Sequence, residues 1–186
     1  MKRIFDLIMS ILVGCLMALP LVLLYLAVRL SSQGPGLYWS DRVGKSNEIF
    51  RMPKFRTMQI GTPAVATHLL SNPKQFLTPI GSFLRRSSLD ELPQLWNIFR
   101  GDMSFVGPRP ALFNQDDLIE LRTRYGVDQM TPGLTGWAQI NGRDELPIPE
   151  KVQLDVEYMQ QQSFWFDLKI IVLTFLKVLK KDGITH

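Results

Sequence analysis

From Leu7 to Val28 the chain runs without a charged side chain, and a proline, Pro20, stands inside that run. At about 1.5 Å per residue, a straight helix over this stretch would be roughly 33 Å long, enough to cross the hydrocarbon core of a bilayer. Proline in a helix interior removes a hydrogen bond and clashes with the preceding turn, at a cost of roughly 3 kcal/mol. A break there leaves two arms too short to span. Lys2 and Arg3 precede the run, while Arg29, Arg42, Lys45 and Arg51 follow it, so both flanks carry the cations that favour the cytoplasmic side. A hairpin that enters and returns satisfies both flanks; a spanning helix whose proline is repaired by neighbouring groups is the other reading. Both leave the rest of the chain in the cytoplasm. A cleaved signal peptide fits poorly, because the run is too long for its apolar region and no small-residue cleavage site follows.

At the other end, Phe164 to Leu179 mixes aromatic and aliphatic residues with Lys169 and Lys177, and Lys180 and Lys181 follow. Its uncharged centre, Ile170 to Leu176, is too short to span. It reads either as an interfacial helix with snorkelling lysines or as an ordinary helix packed on a core. The chain is 46% apolar, but much of that content lies at these two ends. The middle therefore reads as one soluble domain, with no internal repeat. The expected division is 1–35 for the membrane helix and its connection, 36–163 for the domain, and 164–186 for a C-terminal amphipathic helix and tail.

A net charge of +4 suits an anionic membrane surface, a phosphate-rich substrate or nucleic acid equally. Cys15, the one cysteine, excludes an intrachain disulfide and a thiolate metal cluster. With only His68 and His186, neither a Ser/His/Asp triad nor a multi-histidine metal site is supported. Glycine-rich phosphate loops of the Walker and dinucleotide types are missing, as are CxxC and HExxH. Chemistry is left to carboxylates and arginines.

Leu37 to Met58 shows β-prone pieces around Gly44-Lys45-Ser46-Asn47 and reads as a hairpin. Within it Lys54 and Arg56 alternate with Phe55 and Thr57, so both cations would project from one strand face, toward solvent or around an anion. Gly61 to Pro79, proline-rich and polar, reads as a loop beside the site. The densest segment is Leu84 to Pro110, where Arg85 and Arg86 come just before Asp90 and Glu91. Ser88 to Glu91 matches a capping box. The same arrangement also suits a carboxylate that attacks a bound diphosphate. Arg109, between Pro108 and Pro110, presents a fork that fits phosphate oxygens. In Met130 to Arg143 the residues Trp137, Gln139, Asn141 and Arg143 recur at every second position and would form one polar wall, or a structural loop. Lys151 to Gln162 has helical composition, with Asp155 and Tyr158 on one face.

Four ordered motifs, KFRTM at Lys54 to Met58, RRSSLDELPQLWN at Arg85 to Asn97, GDMSFVGPRP at Gly101 to Pro110 and TPGLTGWAQINGR at Thr131 to Arg143, resemble the bacterial sugar transferase family of monotopic phosphoglycosyl transferases. The resemblance covers nearly the whole chain. It implies a mainly helical α+β fold: a re-entrant membrane helix broken at Pro20, a small β-hairpin, and a compact cytoplasmic domain with interfacial amphipathic helices. It also implies residence at the bacterial inner membrane, with the domain on the cytoplasmic face.

The implied reaction is ping-pong. Asp90 attacks the β-phosphorus of a UDP-sugar, UMP leaves, and a polyprenyl phosphate, undecaprenyl phosphate in bacteria, takes the phosphosugar; Glu91 assists. Mg²⁺ is the expected cofactor, with Asp90 as its protein ligand. Lys54, Arg56, Arg85 and Arg109 are expected to hold phosphates, Gln139 and Arg143 to meet the nucleotide, and Asp155 to support the site. Expected partners are the UDP-sugar, the polyprenyl phosphate and membrane lipid, not nucleic acid. The motifs identify neither the sugar nor the oligomeric state.

Two positions depart from the family pattern: Leu19-Pro20 stands where Ser-Pro is usual, and Pro53 replaces a bulky residue before KFR. A membrane-tethered protein that grips anionic lipid or nucleic acid without turnover is the rival of another class. A two-carboxylate hydrolase is the enzymatic rival.

Overall fold

The apolar N-terminal run folds as two helices, α1 (Lys2–Leu16) and α2 (Ala18–Ser31), bent by 63° at Met17. The break lies three residues ahead of its expected place at Pro20. A proline ring excludes the carbonyl four residues back, here that of Leu16. The first helix therefore ends at Leu16, and Pro20 falls in the first turn of the second, where backbone N–H groups lack helical partners anyway. Among the described residues no single helix is long and apolar enough to cross a membrane, although the bent pair has the length and composition to do so. This computed structural model describes residues 1–63, 72–142 and 146–180. The centre of the expected Gly61 to Pro79 loop, and Arg143, lie outside the described residues.

Both ends of the bent pair are tied to the domain by polar groups. Lys2 Nζ donates to Tyr158 Oη at 3.1 Å and pairs with Asp167, and Arg3 donates to the carbonyls of Ile98 and Phe99. Asp6, buried in α1, accepts from the Phe105 amide at 3.1 Å. Where α2 ends, the Arg56 guanidinium donates to Ser32 O at 2.9 Å and to Gln33 O. Val28 is fully buried against Phe55 and Leu84. The outer face of the pair remains apolar and exposed, with Ile8, Leu12, Leu16, Leu19 and Leu23 all uncovered.

Strands β1 (Leu37–Val43) and β2 (Ile49–Phe55) form the expected antiparallel hairpin, with Leu37 opposite Phe55 and Val43 opposite Ile49. Its turn uses left-handed Ser46 (φ 54°) and Asn47 (φ 60°), a conformation that asparagine tolerates better than most residues. Pro53 sits in this two-stranded ladder, where each strand has an unpaired edge that needs no donor. Helix α3 (Gly81–Arg86) leads to a 3₁₀ segment, Leu89–Gln94, and then to α4 (Leu95–Arg100). Met52 of the hairpin packs with Leu95, Ile98 and Met103, and Leu89 packs on the cluster that contains Phe55, so β2 shares its core with both α4 and the acidic segment.

A parallel pair, β3 (Ser104–Val106) and β4 (Gly133–Thr135), crosses the centre. The backbones approach so closely that a Cβ on Gly133 would fall 2.1 Å from the Gly107 nitrogen, which requires glycine there. Helices α6 (Trp137–Asn141), α7 (Ile148–Gln161) and α8 (Phe164–Lys180) pack on Val106 of β3, and α5 (Asp116–Arg124) packs on α7. Helix α8 packs on the core along one face, as the second of its two sequence readings expects. Ile170 is fully buried with Val106, Ile140 and Tyr158, whereas Trp165, Val172 and Phe175 on the other side are exposed.

Candidate active site

The KFR strand, the acidic 3₁₀ segment and the GPRP loop meet at one carboxylate. Glu91 Oε1 accepts from Lys54 Nζ at 2.9 Å and from Arg109 Nη2 at 2.7 Å. These three residues are far apart in the chain; the packing of β2 on the 3₁₀ segment brings Lys54 to Glu91, and the loop after β3 brings Arg109. Burial alone would raise the Glu91 carboxyl, but Arg109 and Lys54 overcome it and hold the group well below the ordinary carboxylate range. Glu91 is therefore a fixed negative charge between two cations. Burial lowers the Lys54 ammonium, partly offset by Glu91.

Asp90, next in the chain, is in a different position. It is only 8% exposed, and among the described residues none donates a hydrogen bond to its carboxylate. Burial, then repulsion from Glu91, pushes its carboxyl up to about 6, against the pull of Lys54, Arg85 and Arg109. A carboxylate that is buried, near several cations and free of hydrogen bonds keeps its lone pairs for an electrophile or a cation.

The capping-box reading of Ser88 to Glu91 fails. Ser88 makes no side-chain cap and takes a left-handed conformation (φ 56°), and the Glu91 carboxylate is already claimed by Lys54 and Arg109. A non-glycine residue in this region carries backbone strain of order 1 kcal/mol. The strained turn directs Asp90 and Glu91 inward rather than back over the helix terminus.

The other expected site residues divide. Arg85 donates from Nε to Thr57 Oγ1 at 3.0 Å and lies close enough to Asp90 and Glu91 to feel their charge. Arg56 turns away from them: it is 5% exposed and serves the carbonyls at the end of α2. It stands one residue beyond β2, so the strand alternation that would pair it with Lys54 no longer applies. Gln139 donates to Leu134 O at 3.0 Å. The expected polar wall does not form, because Trp137–Asn141 is a helix between Gly136, which is extended, and Gly142, and a helical period separates positions that a strand would align. Trp137 packs on Phe166 and donates to Glu157 at 3.1 Å.

Asp155 is buried at 2% exposure and paired with Arg122, a residue absent from the expected set. In the sequence Arg122 looks like a surface cation in the last turn of α5. Its partner is distant in the chain, so no local pattern marks it.

Among the described residues no group of three or more His, Cys, Asp or Glu is placed to hold a metal. A cation such as Mg²⁺ that keeps water and substrate phosphates as most of its ligands needs only one or two carboxylates. Asp90, with unclaimed oxygens, fits that requirement; Glu91 Oε1 is occupied by Lys54 and Arg109.

Compared with known proteins, residues 1–181 match the family model described as bacterial sugar transferase. A UDP-glucose:undecaprenyl-phosphate glucose-1-phosphate transferase of Escherichia coli K12 is 40% identical over 185 residues, covering 95% of this chain and 40% of that protein. A protein of the same name from Caulobacter vibrioides is 38% identical, covering 98% of this chain and 71% of its own length. An uncharacterized sugar transferase of Bacillus subtilis is 39% identical, covering 99% and 90%. The chain thus spans well under half of the Escherichia coli relative and most of the Bacillus subtilis one.

Proposed function

This chain belongs to the bacterial sugar transferase family, and from that premise we propose that it transfers a sugar-1-phosphate from a UDP-sugar to a polyprenyl phosphate, with release of UMP. The observation that carries the reading is the contrast within the acidic pair. Glu91 is held between Lys54 and Arg109, while Asp90 is buried, near cations and free of hydrogen bonds from the described residues.

An Asp90 oxygen attacks the β-phosphorus of the UDP-sugar, and the bond from that phosphorus to the bridging oxygen breaks, releasing UMP. The phosphosugar remains on the carboxylate as an acyl phosphate. A phosphate oxygen of the polyprenyl phosphate then attacks the same phosphorus and expels the carboxylate, giving a polyprenyl diphosphate sugar. Arg109, Lys54 and Arg85 supply positive charge where negative charge develops on the transferring group. Glu91 fixes Arg109 and Lys54 in place. Mg²⁺ held by Asp90 and the diphosphate would neutralise substrate charge. The relatives' names include glucose and galactose transfer to undecaprenyl phosphate, which supports UDP-hexoses as donors and undecaprenyl phosphate as acceptor.

We place the chain at the cytoplasmic face of the inner membrane with α1 and α2 as a re-entrant hairpin. The tethers at Lys2, Arg3 and Arg56 support this, since both ends of the bent pair belong to one domain. With arms of about 22 and 21 Å and a 63° bend, its apex would reach only about 11 Å below the level of its ends. That is less than half of a hydrocarbon core about 30 Å thick.

The test is intact-mass measurement after incubation with Mg²⁺ and a panel of UDP-sugars, without acceptor. A phosphosugar adduct on the wild type, absent from Asp90→Asn and discharged by undecaprenyl phosphate, is the expected result. Lipid-linked product formed by Asp90→Asn at the wild-type rate would overturn the assignment of the nucleophile. Release of free sugar phosphate without acceptor would point to a hydrolase.

A further inference from the structure

The loop that presents Arg109 is held at every carbonyl from Pro108 to Ala111. Pro108 O accepts from Gly133 N at 2.9 Å, Arg109 O from Arg122 Nη1 at 2.7 Å, Pro110 O from Arg42 Nη1 at 3.2 Å, and Ala111 O from Val43 N at 3.0 Å. Pro108 and Pro110 have no amide proton, which halves the donors the loop has of its own. Three of its donors come from groups near it in the sheets and hairpin. The fourth, Arg122, belongs to a buried ion pair: Asp155 Oδ2 accepts from Arg122 Nε at 3.0 Å and Nη2 at 2.7 Å. Arg122 is 7% exposed and Asp155 2%.

Burying such a pair is costly, and apolar residues of similar volume often serve stability as well or better. The pair therefore calls for a reason beyond holding the fold. Arg109 supplies one. Its side chain, one-third exposed, meets Glu91 at its tip, and its backbone carbonyl accepts from Arg122.

We propose that Arg122, oriented by Asp155, is a positioning residue for Arg109: by pinning the Arg109 carbonyl it sets where that guanidinium meets Glu91 and the substrate phosphates. The inference rests on the transferase reading of the Asp90 site. A lysine could not replace Arg122, because one ammonium lacks the planar fork that serves a carboxylate and a carbonyl in fixed directions at once.

The test is a mutant cycle on transfer kinetics. Arg122→Met with Asp155→Leu removes both charges together, so no buried charge is left unpaired, and a thermal melt checks that the fold persists. The double substitution is expected to lower kcat about tenfold with the melting temperature within a few degrees of wild type, and Arg122→Lys to lower it similarly. In an Arg109→Gln background the same substitutions are expected to add no further loss, because residues acting through a shared partner are not additive. A wild-type kcat in the double variant, or a tenfold loss repeated in full without Arg109, would overturn the inference. If the double variant fails to fold, Arg122→Lys carries the same comparison. A wild type inert toward every donor would sink the transferase reading and this inference with it, whereas an active wild type with additive losses sinks this inference alone.

Discussion

Asp90 and Glu91 are neighbours in the chain with opposite electrostatic fates: at Glu91 the charges of Arg109 and Lys54, which also donate hydrogen bonds to it, outweigh burial, whereas burial and repulsion from Glu91 prevail at Asp90. The folded pKa of Asp90, about 6, stands above its unfolded value, so its contribution to stability is present below about pH 4 and lost as the pH rises through 6. Glu91 is depressed, so its contribution is present above its unfolded pKa and lost as the pH falls below the ordinary carboxylate range. Removing each charge at pH 7.5 should then have opposite effects. Asp90→Asn is expected to raise the melting temperature by a few degrees while abolishing transfer. Glu91→Gln leaves Lys54 and Arg109 without their anion and is expected to destabilise the fold by roughly 3 kcal/mol. Calorimetry on the two variants checks the contrast. For the proposed attack by Asp90 the ionised carboxylate is required, so kcat/KM should fall on the acid side of pH 6, about tenfold per pH unit, and level off above pH 7.

The element that matters most is the bent pair, because under the proposed re-entrant placement its angle decides whether the N-terminus and the domain lie on one side of the membrane. A reporter fused before Met1 should be accessible from the cytoplasmic side only, as should residue 35. With Pro20→Ala the missing amide returns and can bond the Leu16 carbonyl, so the two helices can join into one. A straightened run would be about 43 Å long. In that variant a fraction of N-terminal reporters should appear on the far side, at the expense of the Lys2 and Arg3 tethers and of activity. Reporters that stay wholly cytoplasmic would mean that the tethers, rather than the proline, maintain the bend.

At the scale of the whole molecule, the two N-terminal helices are part of the core. Val28 shares a buried cluster with Phe55 and Leu84, and Val13 packs on the cluster of Met52, Leu95 and Ile98 beneath the site. A chain lacking residues 1–35 is therefore expected to lose cooperative melting and transfer together, even when supplied in detergent; retention of a sharp transition would separate the anchor from the catalytic core. The order of the motifs, the helix break, the hairpin and the carboxylates at Asp90 and Glu91 were legible in the chain, because each depends on local chemistry: a proline ring, a turn, apolar runs, acids beside arginines. The break was legible as a break but not as Met17, since helix hydrogen bonds reach four residues back from the proline. Arg56 as a helix tether, Trp137–Asn141 as a helix, and the Arg122–Asp155 pair behind Arg109 were not legible. Each depends on which distant backbone carbonyl or carboxylate the packing brings within reach of a donor. Sequence alone determined the chemical groups available and where the chain must turn, whereas the tertiary structure decided their partners, because a buried charge takes its role from the atoms that surround it.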